Sequence, residues 1–145
     1  MKKEFVTYGL ALRMKGLGFN EDCFARYEGK LTTLGEKPLI FEFTFANLPN
    51  TENKVGYPNY PYQDVEAPTY SQAFRWFESK GYRNYVASNQ FGGKVNYWFA
   101  ITPPEELTYS DVEGRSTKEE AELACLEKLI EIVEQKNAEM TEHGL

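Results

Sequence analysis

The chain carries one histidine, His143, and two cysteines, Cys23 and Cys125, far apart in sequence. Each scarcity removes a class of chemistry. A lone histidine near the end of a polar stretch does not suit a Ser-His-Asp or Cys-His site, and a histidine-rich metal centre cannot be assembled at all. Two isolated cysteines give no CxxC and no zinc-ligand spacing. Free thiols in a reducing cytosol are expected, with a long-range disulfide as the alternative. Phosphate-binding loops of the GxxxxGK[ST] and GxGxxG kinds are missing. Basic residues are also short: 16 Lys and Arg face 22 Asp and Glu, a net charge of −6. That balance argues against broad binding of phosphate backbones and leaves a basic protein partner open. No apolar run approaches the roughly 20 residues of a membrane span. The start, Met1-Lys-Lys-Glu-Phe-Val-Thr-Tyr-Gly9, shows no apolar core of a signal peptide. A cytoplasmic protein without membrane contact is expected.

What the chain has in excess is aromatic area. Ten Tyr, ten Phe and two Trp make 15% of 145 residues. Phe and Tyr suit strands and fill cores, while Tyr and Trp also favour interfaces. The length fits a single domain spanning 1–145, able to bury roughly 68–70% of its unfolded surface without staples.

Periodicity places a helix from Thr7 to about Leu17, with Leu10, Met14 and Leu17 on one face, Gly18 as the stop and Phe19 folding back onto Met14. A short strand follows from Cys23 to Tyr27. The run Leu39-Ile-Phe-Glu-Phe-Thr-Phe45 alternates as a half-buried strand. Residues 46–66, with Pro49, Pro58 and Pro61 among Tyr57, Tyr60 and Tyr62, read as a long loop. Pro68 is placed to open a helix to Lys80, whose Tyr70, Ala73, Phe74 and Phe77 make its core face, with Trp76 on the flank. Tyr82–Phe91 and Lys94–Thr102 flank Gly92-Gly93 as a hairpin. In the second arm Val95, Tyr97, Phe99 and Ile101 share one face, and Asn96, Trp98 and Ala100 the other. Glu105–Arg115 reads as a polar connection. Thr117-Lys-Glu-Glu120 is a capping box opening a helix to about Asn137, followed by a mobile tail, 138–145. The order is α-β-β-α-β-β-α: an α+β domain with helices packed on one face of an antiparallel sheet.

Acids distant in sequence can meet in space, so Glu21, Asp22, Glu42, Asp64 and Glu66 are the candidates for carboxylate catalysis. Each is more simply a solvated or strand-face charge, and neither a cofactor nor a metal is implied. Cys125, inside the apolar arc of the last helix, and Cys23, opening an apolar strand, read as packing residues. Two kinds of surface suit partners. On the last helix Glu120, Glu127, Glu131 and Glu134 converge on a narrow strip, with Lys128 in reach of Glu131. Trp76, Trp98, Tyr57, Tyr60 and Tyr62 are candidate contact aromatics, and Trp98 with Tyr57, Tyr60 and Tyr62 would make a stacking platform if the partner were single-stranded nucleic acid.

Three segments, Val6-Thr-Tyr8 with Leu17-Gly-Phe-Asn-Glu-Asp-Cys-Phe24, Ala67-Pro-Thr-Tyr-Ser-Gln-Ala-Phe-Arg-Trp-Phe77, and Glu119-Glu-Ala-Glu-Leu-Ala-Cys-Leu-Glu-Lys-Leu-Ile130, resemble a family of small uncharacterised accessory proteins of Bacteroidetes prophages and mobile elements. Gly9 departs from that pattern, standing where a better helix former is expected. The resemblance implies a bacterial cytoplasm and no catalytic residues. It makes a non-enzymatic binding protein the leading expectation, such as an inhibitor of a host defence effector of the anti-CRISPR kind. A single-stranded nucleic-acid-binding module and an enzyme built on carboxylates are the alternatives.

Overall fold

The computed structural model describes residues 4–31, 38–45 and 64–142. The chain is α+β. Its elements are α1 (Tyr8–Gly16), β1 (Ala25–Leu31), β2 (Pro38–Phe45), β3 (Val65–Ala67), α2 (Tyr70–Ser79), β4 (Arg83–Phe91), β5 (Lys94–Thr102), β6 (Tyr109–Arg115) and α3 (Lys118–Glu142). The expected α-β-β-α-β-β-α order is present, with two short strands added to it. β3 takes up the end of the expected 46–66 loop, and β6 lies within the expected polar connection. The strands form two three-stranded antiparallel sheets, β2-β1-β3 and β4-β5-β6. They fall in two compact units, Met1–Thr69 and Tyr70–Leu145.

In the first unit, α1 ends as its sequence dictates. Gly18 adopts φ 102, Gly18 N–H donates to Lys15 O and Phe19 N–H to Met14 O. This reversal satisfies two carbonyls that the helix end leaves open. It also turns Phe19 back to Met14, and both are buried. Thr7 sits at the N-cap position but makes no side-chain capping bond there. Just before it, Phe5 bridges Thr69, and Val6 N–H donates to Pro68 O at 2.8 Å. That pairing explains a shifted helix start: Pro68 and Thr69 are held in extended pairing, so α2 begins at Tyr70 and not at Pro68. The buried Tyr27 hydroxyl donates to Val6 O at 2.7 Å, and its ring meets Tyr8 edge-on at 5.7 Å. Burial raises the Tyr27 pKa, so the phenol stays a donor.

In the second unit the same reversal recurs. Gly81 adopts φ 94, Gly81 N–H donates to Glu78 O, and Tyr82 N–H to Phe77 O. Tyr82 then packs edge-on against Phe77. The buried face of α2 holds Ala73, Trp76 and Phe77, while Tyr70 and Phe74 are half-buried. The expectation that Trp76 lies outside the core is corrected: only 7% of it is exposed. The buried stripe is rotated toward the indole, whose large apolar area favours burial over the margin. Its ring meets Phe77 at 4.9 Å, with the Lys80 ammonium 5.5 Å from its centroid.

β4 and β5 join through Gly92 (φ 59) and Gly93 (φ 80), the pair of positive φ values that a tight hairpin of this twist requires. On β5, Phe99 and Ile101 are buried, Tyr97 is half-buried and Val95 is exposed, so the cover fades toward the hairpin. α3 provides that cover with Ala121, Cys125, Leu126, Leu129 and Ile130, all fully buried. Its N-terminus is capped as expected, Glu120 N–H donating to Thr117 Oγ1 at 3.1 Å. The helix runs on to Glu142, past the expected end near Asn137. Residues 138–142 are therefore helical, continued by good helix formers such as Ala138, Glu139 and Met140.

The ladder between β5 and β6 breaks register between Tyr97 and Phe99. The Asp111 carboxylate accepts the Glu113 N–H at 2.9 Å and pairs with Arg115 at 2.9 Å, while Arg115 also donates to Glu113 O. A Cβ at Gly114 would lie 3.0 Å from the Asn96 side chain, which would have to give way by a few tenths of an ångström.

Two glycines separate backbone permissiveness from space. Gly9 lies in α1 with nothing within 4 Å of a Cβ, whereas at Gly81 a Cβ would meet Pro104 Cγ at 2.9 Å at a positive φ. Gly9→Ala should raise stability by up to about 1 kcal/mol. Gly81→Ala should lower it by more than about 1 kcal/mol. Urea titrations of both variants check the two signs.

Candidate functional site

The outward face of α3 is the first candidate surface. Because the apolar arc of the helix is spent on the sheet, the residues opposite must face solvent. Glu120, Glu127 and Glu131 are exposed and Glu134 is half-buried. Lys128 partly neutralises the strip, its Nζ 3.3 Å from Glu131 Oε1. The same ammonium sits 4.6 Å from the centroid of the Tyr109 ring. Lys128 therefore links the acidic strip to the sheet edge, and its charge is shared between a carboxylate and a π face.

The second surface is the sheet face opposite α3. Antiparallel register places Tyr85 across from Ala100 and Trp98 across from Ala87, and directly opposed residues share a face. Tyr85 and Trp98 meet edge-to-face at 5.7 Å and 72°. Tyr85 is 53% exposed and Trp98 half-buried.

Of the aromatics singled out from sequence, Trp98 is placed on this face, Trp76 is in the core, and Tyr57, Tyr60 and Tyr62 lie outside the described residues. Tyr85 was missed, although the signal was available. A two-residue turn at Gly92-Gly93 fixes the pairing of β4 with β5, which sets Tyr85 diagonal to Trp98.

Among the described residues the candidate acids form no group of three or more that could hold a metal ion. Glu21 and Asp22 are exposed in the segment after α1. Glu66 lies opposite Arg26 in the β1–β3 ladder, where opposite charges favour pairing. Lys15 Nζ donates to the backbone carbonyl of Asp64, 3.4 Å away. Glu42 stands across from Glu28, and its side chain lies outside the description.

Both thiols are unbonded to one another. Burial, with a smaller contribution from the Glu122 carboxylate, pushes the Cys125 thiol up to about 12. It stays protonated at neutral pH and is no nucleophile. Glu122 itself is half-buried at the apolar side of α3, and its pKa is raised by that burial, against Lys118 and with Glu119.

Comparison with known proteins finds no matching family model, no matching curated protein and no matching solved structure.

Two outcomes are expected from these titratable groups. An aromatic disulfide reagent should modify half-buried Cys23 in the native protein and reach Cys125 only on unfolding, which a stopped-flow thiol count reads directly. For Glu122 the folded pKa exceeds the unfolded one, so the fold holds the proton more tightly. Stability should then fall as pH rises from the ordinary carboxylate range through the raised value. Glu122→Gln should remove that decline and raise the melting temperature at neutral pH.

Proposed function

We propose that the chain is a non-enzymatic binding protein that docks on a basic protein surface through the acidic face of α3. The observation that carries this reading is the exposure of Glu120, Glu127 and Glu131 along one stripe of a helix whose other side is buried. A rigid helix holds these charges in fixed relative positions, so a complementary row of Lys or Arg can meet them without ordering a loop. Such contacts speed encounter and select partners by charge more than they add raw affinity. The Lys128 pair engages Glu131 and leaves Glu120 and Glu127 without a salt bridge among the described residues.

The chain's resemblance to prophage accessory proteins supplies the setting. A small acidic accessory protein in a bacterial cytoplasm fits an inhibitor or adaptor acting on a host protein, including a defence effector. The protonated, buried Cys125 is consistent with a protein acting by contact and without covalent chemistry.

Immobilised protein should retain a basic host protein at low salt and release it as salt is raised. The double variant Glu127→Lys/Glu131→Lys should lose that protein by at least tenfold in a quantitative binding assay, with its thermal unfolding unchanged. A captured protein that binds the double variant equally well, or holds on at high salt, removes this reading.

A further inference from the structure

We propose that the open face of the β4-β5-β6 sheet is a weak binding surface for single-stranded nucleic acid, independent of the acidic helix. The face is aromatic at its centre and cationic at both ends. Tyr85 and Trp98 occupy the middle, each opposite an alanine, Ala100 or Ala87, so no bulky neighbour opposes either ring across the β4–β5 pair. Their contact is edge-to-face, which uses one ring face and leaves others for a base to stack on. Asn89 is exposed and Asn96 half-buried toward the hairpin, where amides can both donate and accept.

Charge selects the occupant. Arg83 marks one end of the face and Lys94 the other. They lie about 27 Å apart along the strands, a span suited to a short stretch of extended strand. Both are exposed, and neither has an ion-pair partner among the described residues. No Asp or Glu occupies this face of β4 or β5, although the whole chain carries a net charge of −6. Four acids of the second unit's long helix, Glu120, Glu127, Glu131 and Glu134, lie instead on the stripe described above. A ligand that is anionic and carries flat rings matches such a face, and a basic protein does not. A duplex is a poor fit because its bases are stacked internally and cannot reach the rings.

The test is fluorescence anisotropy of labelled oligo-dT and oligo-rU with the full chain at low salt. Binding should weaken with salt, with a slope near −1.4 for two phosphate contacts. Unlabelled duplex of the same length should compete poorly. Trp98→Ala should weaken binding roughly tenfold to a hundredfold. Tyr85→Ala, at a half-exposed position that spares the core, should weaken it in the same direction even if Trp98→Ala is unstable. Arg83→Glu/Lys94→Glu should abolish it, and Glu127→Lys/Glu131→Lys should leave it intact. Absence of any wild-type signal at low salt, full competition by duplex, or unchanged binding by Tyr85→Ala would overturn the proposal. So would sedimentation showing that the face holds a second copy of the chain, with a dimer dissociated by Tyr85→Ala.

Discussion

The second unit depends on one interface: the apolar arc of α3 laid on one face of a three-stranded sheet. Leu126, Leu129 and Ile130 from the helix, and Phe99 and Ile101 from β5, are all buried to within 2%. Each such side chain contributes about 1.5–3 kcal/mol on leaving water, so these five residues outweigh any polar contact in the unit. A helix cannot present that arc to a sheet without presenting its reverse to solvent. A sheet covered on one face by helices keeps its other face for something else. The acidic stripe and the aromatic sheet face are thus two results of a single packing decision.

The first unit is held differently, by backbone pairing as much as by apolar burial. Phe5 and Val6 pair with Thr69 and Pro68, chain segments far apart in sequence, and the Tyr27 hydroxyl accounts for the Val6 carbonyl. A buried carbonyl left unmet would be expensive, so the phenol serves structure at that point. Both units end a helix with the same glycine reversal and return an aromatic, Phe19 or Tyr82, onto the last turn. This repeated device links local stereochemistry to the core, because the residue that follows the glycine is also a core residue.

Where a local signal was strong, the fold was legible. The Thr117 cap, the stops at Gly18 and Gly81, and the Gly92-Gly93 hairpin all depend on contacts within a few residues, and all are present, the cap through the Glu120 N–H alone. The start of α2 was misjudged because Pro68 is claimed by pairing with Val6, a tertiary contact that no helical period reveals. Trp76 was misplaced by a hydrophobic stripe centred on Phe74; the structure centres it nearer the larger ring. β3 and β6 were missed because Val65–Ala67 is too short to alternate, and because Asp111, Glu113 and Gly114 read as a loop. For the candidate site, the glutamate stripe was readable from helical spacing alone. The pairing of Tyr85 with Trp98 needed the hairpin register worked through to its side-chain faces.

The irregular stretch of β6 has a bearing on solubility. A sheet edge is a template on which a stray strand can grow, and regular backbone groups are what it copies. Along this edge the Glu113 amide is taken by Asp111 and its carbonyl by Arg115, within a segment already out of step with β5. An incoming chain would find the wrong spacing and the hydrogen-bonding groups engaged. The carboxylate–guanidinium clamp thus acts as a terminator, closing this edge of the sheet to polymer growth.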